Sequence, residues 1–368
     1  MVAPELHDDD ELAAWLRLTH GVGRESARRL LAAFASPQGV FAASAASQRA
    51  VAGTTLADLP DGLEALIERT LAWRREDALR QVVTLGDTAY PAALLQTADP
   101  PLLLYAQGRL ELLQRPALAI VGSRNPTAQG ADNARAFALH LARSGYTIVS
   151  GLALGIDGAA HEGALAAGGE ASTIAVVGTG MDRVYPSRHR DLAHRIATQG
   201  LLLSEFDLGT PPLPVNFPLR NRLIAGLAQG TLVVEAALAS GSLITARCAA
   251  EAGREVFAIP GSIHAPQSRG CHALIKQGAQ LVESADDIMA KLRPGSVALN
   301  TSEAPPSSGD GEDEPLLAAL GHDPATLDAL VARCGWPAER LAARLLELEL
   351  DGRIARLPGG LYQRRGVA

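Results

Sequence analysis

Residues 146–157 read YTIVSGLALGID, which is an apolar run, a glycine turn and the beginning of a helical pattern. The same order recurs through the middle of the chain, with helical stretches between most of the runs. The apolar runs are Ala117–Val121, Tyr146–Ser150, Thr173–Val177, Leu201–Glu205, Thr231–Glu235, Glu255–Ile259 and Gln280–Val282. This alternation predicts an α/β fold in which helices cover a parallel sheet and ligands bind at the carboxyl ends of the strands.

The composition is that of an ordinary globular protein. The chain has 368 residues, of which 47% are apolar and 20% charged, and this length suggests two or three folded units. Cys248, Cys271 and Cys334 lie far apart, which argues against a disulfide scaffold or a cysteine zinc site. The acidic N-terminus does not resemble a signal peptide, and the sequence lacks a run of apolar residues long enough to span a membrane. We therefore expect a cytoplasmic protein that does not enter the membrane.

The chain divides into four segments by pattern. Residues 1–80 predict a helical domain with a helix-hairpin-helix at Gly21-Val22-Gly23, where the glycines serve either phosphate binding or a simple αα-corner. Residues 81–293 hold the alternating pattern, and residues 294–314 predict a flexible linker rich in Pro, Ser, Gly and acid. Residues 315–368 predict a winged-helix-like domain whose second helix has mixed charge, so both DNA and protein stay open as its partner.

The net charge of −7 does not exclude a nucleic-acid partner, because the surplus acid lies at the two ends of the chain. Residues 115–290 carry fourteen basic and fourteen acidic side chains. A local basic groove in this middle region is compatible with that balance.

Glycine and hydroxyl residues follow four of the predicted strands. They are Gly122-Ser123-Arg124, Ser150-Gly151, Gly178-Thr179-Gly180 and Ser240-Gly241-Ser242, the last followed by Thr245. Backbone N–H groups at strand-to-helix turns bind anions readily, so four turns on one rim predict a phosphate-binding surface. The chain lacks a P-loop and a complete GxGxxG, so no nucleotide cofactor is expected.

Residues 216–226, NFPLRNRLIAG, place an aromatic ring, two arginines and an amide at a helix start. Phe217 is suited to stack on an unpaired base, and Arg220, Asn221 and Arg222 to contact phosphates or base edges. The alternative is a core phenylalanine with a solvated helix start. Because the two arginines point in different directions on a helix, at least one should face the rim. A second basic run with Arg188 and Arg190 either extends this surface or is an ordinary solvated helix face.

Catalytic patterns are scarce. The sequence has neither a GxSxG nor an HExxH motif. Glu235 and Asp157 follow strands on the predicted rim, and either could act as a general base, although capping a helix is the commoner role for Asp157. We predict no catalytic residue and no metal ligand.

The order and spacing of these motifs resemble the DNA-processing protein A family (DprA/Smf) over about 170 residues. Besides the four turns, the resemblance rests on further segments: Gly155-Ile156-Asp157, Ala160-His161, Tyr185-Pro186, Ser204-Glu205, Phe217-Pro218, Arg220–Arg222, Ile224–Gly226, Pro260-Gly261, Gly270-Cys271 and Gly278-Ala279. Two departures stand out, since His272 replaces the usual asparagine, and arginine or nothing stands at sites where the family often has lysine. Arginine neutralises phosphate at least as well as lysine.

The resemblance implies a Rossmann-like core between an N-terminal helical (SAM-like) domain and a C-terminal winged-helix-like domain. It implies a non-enzymatic homodimer that binds single-stranded DNA taken up during natural transformation, protects it and loads the RecA recombinase onto it. No cofactor or metal is implied. In this family pattern Arg124 contacts phosphate and Phe217 stacks on a base, while Arg220–Arg222 and the turn from Ser240 to Thr245 line the same groove.

The rival function is a phosphoribohydrolase acting on nucleoside monophosphates. It would need a Gly-Gly-x-Gly-Thr turn closely followed by a catalytic glutamate. Here the corresponding stretch is Ser240–Thr245, and the next acid, Glu251, lies too far along the chain.

Overall fold

The computed structural model describes residues 7–292, 314–321 and 324–365. Its α-helices are α1 (Asp9–Gly21), α2 (Arg24–Phe34), α3 (Pro37–Ala42), α4 (Ala45–Ala52), α5 (Leu63–Arg75), α6 (Ala92–Leu95), α7 (Ala128–Arg143), α8 (Ile156–Ala167), α9 (Arg190–Gln199), α10 (Asn216–Leu227), α11 (Ser242–Glu251), α12 (Arg269–Lys276), α13 (Ala285–Leu292), α14 (Glu314–Leu320), α15 (Leu327–Cys334) and α16 (Ala338–Leu350). Short 3₁₀ helices lie at Leu110–Gln114, Ser187–His189 and Pro266–Ser268.

The strands form two sheets. They are β1 (Arg80–Thr84), β2 (Leu103–Gly108), β3 (Ala117–Val121), β4 (Thr147–Ser150), β5 (Thr173–Val176), β6 (Leu201–Ser204), β7 (Gly230–Val233), β8 (Glu255–Ala258), β9 (Gln280–Leu281), β10 (Ala325–Thr326), β11 (Ile354–Leu357) and β12 (Leu361–Arg364). All seven predicted strands are present within two residues of their predicted bounds, as β3 to β9. The expected α/β fold with a parallel core is confirmed.

The large sheet has the order β1-β2-β6-β5-β4-β3-β7-β8-β9. Strands β3 to β9 pair in parallel, whereas β1 and β2 add an antiparallel extension beside β6. The chain begins the parallel part at β3, moves outward through β4, β5 and β6, and then returns to place β7 on the other side of β3. The order β5-β4-β3-β7-β8-β9 is that of a Rossmann sheet, and its switch point lies between β3 and β7.

Both faces of the sheet are buried, because alternate side chains of β3 pack into two different cores on its two sides. Leu118 and Ile120 pack into one core with α7, α8 and α13. Ala119 and Val121 pack into a second core, which holds side chains of α10, α11 and α12. This period of two, with apolar residues at every position, is typical of parallel strands covered on both sides.

Helices α1 to α5 share one buried cluster with the sheet. Leu16 and Trp73 share one buried cluster with Tyr105 of β2 and Val177 after β5. The rings of Trp73 and Tyr105 meet edge to face with centroids 5.9 Å apart. The division at residue 80 therefore stays a prediction, because the buried side chains of the helices and of the sheet form a single cluster.

The C-terminal unit has a separate core. Helices α14, α15 and α16 pack on the sheet β10-β12-β11 around Leu341, Leu345 and Leu348. This is the predicted helix-turn-helix with a hairpin. The predicted linker over 294–314 lies outside the described residues, except for Glu314. Within the described ranges, no helix is long and apolar enough to cross a membrane.

The shared cluster predicts that the N-terminal helices stabilise the sheet. Leu16 is fully buried in it, so Leu16→Ala should lower the free energy of unfolding by about 2–5 kcal/mol, as measured by urea denaturation. The matched control is Leu95→Ala, whose side chain is 54% exposed and should contribute less than about 0.5 kcal/mol. Equal effects of the two substitutions would contradict the shared core.

Candidate nucleic-acid interface

A cleft of about 670 Å³ opens at the switch point of the sheet. Its walls come from the turn after β3, the loop after β7 and the beginnings of α10 and α11. The volume lies in the range of small-molecule sites. Since the carboxyl ends of β3 and β7 diverge here, the cleft occupies the position at which ligands bind to sheets of this order.

The structure brings more than half of the predicted site residues together in this cleft. These are Gly122, Ser123, Arg124, Phe217, Arg220, Asn221, Ser240, Gly241, Ser242 and Thr245. Sequence reasoning missed other lining residues, among them Tyr185, Asn125, Pro212, Pro214, Pro218 and Ile244. The missed prolines and isoleucine make much of the wall apolar. The run PPLP at 211–214 was the available signal, but its position beside the cleft depends on the loop that precedes α10.

Arg220 lies on the floor of the cleft and ties α10 to the sheet. Its side chain is 4% exposed. Nη1 donates to the carbonyl of Gly151 at 2.7 Å and also to the carbonyl of Val176. Burial lowers the pKa of Arg220 to about 10, while Asp157 acts in the opposite direction, so the guanidinium is charged at neutral pH. Arg220 thus joins the ends of β4 and β5, and it adds positive potential beneath the cleft.

The turn after β4 is held by hydrogen bonds from several elements. The buried carboxylate of Asp157, in the first turn of α8, accepts from the N–H groups of Gly151 at 3.0 Å and Ala153 at 3.3 Å. Burial raises the pKa of Asp157, whereas Arg220 and the two N–H groups lower it. Gly155 closes the turn with φ of +82°, and a Cβ there would lie 2.4 Å from the Ser123 carbonyl oxygen. Asp157 therefore caps this turn.

His161 supports the same turn from below. It is fully buried, and burial lowers its pKa to about 3, so the ring is neutral. Nε2 accepts from the N–H of Leu152 at 3.2 Å. The other nitrogen, Nδ1, lies 2.7 Å from the hydroxyl of Thr173, which itself donates to the Ile148 carbonyl. These hydrogen bonds together require the proton of the His161 ring to be on Nδ1.

An aromatic pair stands at the mouth of the cleft. The rings of Tyr185 and Phe217 are 5.5 Å apart at the centroids and tilted by 41°. The Arg124 guanidinium carbon lies 6.0 Å from the centroid of the Phe217 ring. Arg124 is exposed and forms no ion pair with any described residue. One free cation and two partly exposed rings therefore face the same space.

The second wall presents polar groups at the beginning of α11. The hydroxyls of Ser240 and Ser242 lie 2.7 Å apart, and the side-chain amide of Asn221 donates to the Gly241 carbonyl at 3.4 Å. The positive end of the α11 dipole opens on the cleft here. On the opposite wall Ser123 lies in the turn after β3. Both walls thus present serine hydroxyl groups to an anion, and the α11 wall adds the positive end of a helix dipole.

Arg222 is not among the residues that line the cleft, so its predicted place beside Arg220 in one DNA groove stays a prediction. Its guanidinium donates to the carboxylate of Glu205 at 2.5 Å and to the carbonyl of Asp99 at 2.6 Å. Arg24 and Arg28 of α2 bind the carboxylate of Asp99. Arg222 therefore joins α10 to the N-terminal helices, and its charge is neutralised within the protein.

The remaining predicted residues lie around the cleft rather than on its walls. Ser150 and Gly151 are buried beneath it, Gly178 lies against the Phe217 ring, and Thr179 and Gly180 are buried near the loop after β6. The last predicted pair, Arg188 and Arg190, is exposed and lacks ion pairs to described residues. Nδ1 of His189, between them, lies 3.0 Å from the carbonyl of Leu152. The second basic run is therefore held beside the turn after β4.

Carboxylates in and beside the cleft are already engaged. Asp157 caps the turn after β4, and Glu235 accepts hydrogen bonds from the N–H and hydroxyl of Thr127. In the described part of the chain, His, Cys, Asp and Glu side chains form no cluster suited to a metal ion.

Two family models match the chain. Residues 81–293 match the model described as DNA recombination-mediator protein A, and residues 300–360 match the DprA winged helix domain. The chain belongs to the DprA family. Its β10–β12 sheet with α14 to α16 is accordingly the winged-helix domain of a DprA protein.

Relatives in the DprA family cover most of this chain. Protein Smf of Escherichia coli is 46% identical over 308 residues, which are 81% of each chain. DNA processing protein DprA of Streptococcus pneumoniae is 49% identical over 206 residues, 56% of this chain and 72% of that protein.

Solved DprA structures have the same fold. The X-ray structure of the S. pneumoniae protein aligns with a TM-score of 0.65 at 36% identity, covering 78% of this chain and 99% of that chain. DNA processing protein A from Helicobacter pylori, whose single-stranded DNA binding mode has been described, aligns with a TM-score of 0.52 at 34% identity. That alignment covers 58% of this chain and 95% of that chain.

The contact of Arg220 with the β4 turn predicts a strict requirement for glycine at 151. A Cβ on Gly151 would lie 2.4 Å from a guanidinium nitrogen of Arg220. Gly151→Ala should therefore lower the free energy of unfolding by about 1–3 kcal/mol. The matched control is Gly241→Ala, whose Cβ meets no atom within 4 Å. Thermal unfolding of both variants measures the difference, and an unaffected Gly151→Ala protein would contradict the role of Arg220.

Proposed function

We propose that this DprA protein binds single-stranded DNA in the cleft at the β3–β7 switch point, without catalysis and in the cytoplasm. The observation that carries the proposal is the grouping of Arg124 with the Phe217 and Tyr185 rings in one cleft. A cation beside exposed aromatic faces is the combination by which proteins hold unpaired nucleotides. The H. pylori relative, with its described single-stranded DNA binding mode, supports the same ligand.

The phosphate backbone would pass between the two polar walls. Arg124 supplies a charge that forms no ion pair with a described residue, and the turn after β3 and the beginning of α11 supply serine hydroxyls. Arg220 contributes positive potential from the floor of the cleft, where its Nη1 donates to two carbonyls and its buried Nε has no hydrogen-bond partner among the described residues. Arg188 and Arg190 would extend the contact along the rim.

The bases would be held by stacking and by apolar contact. Tyr185 is 46% exposed, and Phe217 is partly exposed beside it. Pro212, Pro214 and Ile244 add apolar surface to the same cleft. In a duplex the base faces are already stacked on their neighbours, so these side chains favour single strands over duplex.

Binding rather than turnover is the function that the carboxylates support. A hydrolase acting on nucleoside monophosphates would need a carboxylate free to act as base or nucleophile. Asp157 instead caps the β4 turn, and Glu235 binds Thr127. These engaged groups favour the binding function over the phosphoribohydrolase alternative.

The salt dependence of binding tests the cleft directly. Fluorescence anisotropy of labelled oligo-dT across a salt series should show tight binding that a matched duplex lacks. Arg124→Ala should reduce the slope of log K against log salt by about 0.7, the value for one phosphate contact on a single strand. The control is Arg49→Ala, which removes an exposed arginine on α4 and should leave the slope unchanged. Equal slopes for all three proteins would contradict the assignment of Arg124.

Membership of the DprA family extends the proposal to a partner protein and to self-association. We propose that the protein is a homodimer that protects incoming single strands during natural transformation and loads a RecA-type recombinase onto them. Amounts of this protein well below those of RecA should therefore accelerate RecA filament formation on single strands coated with the host single-strand binding protein. The ATP hydrolysis by RecA reports filament formation. Arg124→Ala should reduce the acceleration, and light scattering should give twice the mass of one chain. A monomer, or a protein without effect on RecA, would contradict this extension.

A further inference from the structure

Glu235 lies two residues after the end of β7, and its side chain crosses the switch point to the loop that carries Arg124. Its backbone carbonyl accepts from the N–H of Ser123 at 2.7 Å. Its carboxylate accepts from the N–H of Thr127 at 2.9 Å and from the Thr127 hydroxyl at 2.5 Å. One residue thus holds both ends of the segment 123–127.

Thr127 passes this constraint on to α7. Its hydroxyl oxygen accepts from the N–H of Gly130 at 3.0 Å and so caps the beginning of the helix. A Cβ on Gly130 would lie 2.3 Å from the carboxyl carbon of Glu235. The glycine therefore leaves the space that the carboxylate occupies, and a larger residue would displace it.

Both oxygens of the Glu235 carboxylate are engaged in hydrogen bonds from Thr127. Burial raises the pKa of Glu235, and the two bonds from Thr127 lower it. Glu235 is not among the residues that line the cleft, whereas Arg124 is. Arg124 itself is exposed and forms no ion pair with a described residue, so the backbone on either side of it is what fixes its position.

We infer that Glu235 is a positioning residue for the single-stranded DNA site, holding the segment 123–127 so that Arg124 faces the phosphate backbone. This inference rests on the proposed function. Glu235 acts through the loop and does not touch the DNA.

The direction in which a change at Glu235 shifts DNA affinity distinguishes a positioning role from simple charge repulsion. A carboxylate near a phosphate site repels DNA, so removal of its charge alone would tighten binding. Loss of a fixed Arg124 would weaken binding instead. Glu235→Gln keeps the shape of the side chain and replaces two charge-assisted hydrogen bonds with neutral ones, since its amide can accept from the Thr127 N–H and donate to the Thr127 hydroxyl.

The experiment compares oligo-dT binding across a salt series for the unchanged full-length protein and for Glu235→Gln, Gly130→Ala, Arg124→Ala and the double variant Glu235→Gln/Arg124→Ala. Glu235→Gln should bind about tenfold more weakly, because neutral hydrogen bonds are roughly half as strong as the two charge-assisted bonds that they replace, and should lose up to about 0.7 of the salt slope. The double variant should bind like Arg124→Ala alone, since the two residues act as one unit.

Gly130→Ala displaces the carboxylate without changing the net charge of the protein. Only the end of a flexible side chain has to move, so the fold should be kept, and thermal unfolding checks this for every variant. Gly130→Ala should reproduce the weaker binding and the smaller slope. If Glu235→Gln fails to fold, the binding and salt slope of Gly130→Ala alone test whether Glu235 positions Arg124.

The control for charge is Glu251→Gln, which neutralises an exposed carboxylate at the end of α11 and should not weaken binding. Unchanged or tighter binding by folded Glu235→Gln and Gly130→Ala, beside a weakened Arg124→Ala, would overturn the inference alone. If the unchanged protein fails to bind oligo-dT, both the proposed function and the inference that rests on it are contradicted.

Discussion

The contact of the Arg220 guanidinium with the ends of β4 and β5 determines the geometry of the cleft. A buried cation is expensive unless its donors are paired. Here Nη1 is shared between the carbonyls of Gly151 and Val176, with Asp157 nearby. This contact fixes the beginning of α10 above the sheet. The position of Phe217, three residues earlier on the same helix, follows from it, and so does the opening of the cleft towards α11.

Three arginines near the cleft have three different roles, which are assigned by the partners around them. Arg220 is used within the protein to fix α10, and Arg222 binds Glu205 and Asp99 so that α10 is joined to the N-terminal helices. Arg124 is left with an aromatic ring beside it. Of the three, Arg124 is the one without an ion pair to a described residue, so we propose that Arg124 neutralises a phosphate and displaces a counterion of the DNA.

Most of the fold was predictable because its signals are local. Alternating apolar runs and glycine turns identify β3 to β9, and helix-turn-helix with a hairpin identifies the winged-helix domain. Strands β1 and β2 were missed because an antiparallel extension follows no repeated strand-to-helix pattern. The direction of Arg222 was also out of reach of the sequence. It depends on the rotation of α10 and on Glu205 and Asp99, which are 17 and 123 residues away along the chain.

We propose that single-stranded DNA lies against the aromatic pair in the cleft at the switch point. Photo-crosslinking of oligo-dT carrying 5-iododeoxyuridine tests this placement, with the crosslinked residues mapped by mass spectrometry. We expect crosslinks at Phe217 or Tyr185, lost when unlabelled oligo-dT competes and absent with labelled duplex. Crosslinks confined to the winged-helix residues 324–365 would contradict this placement.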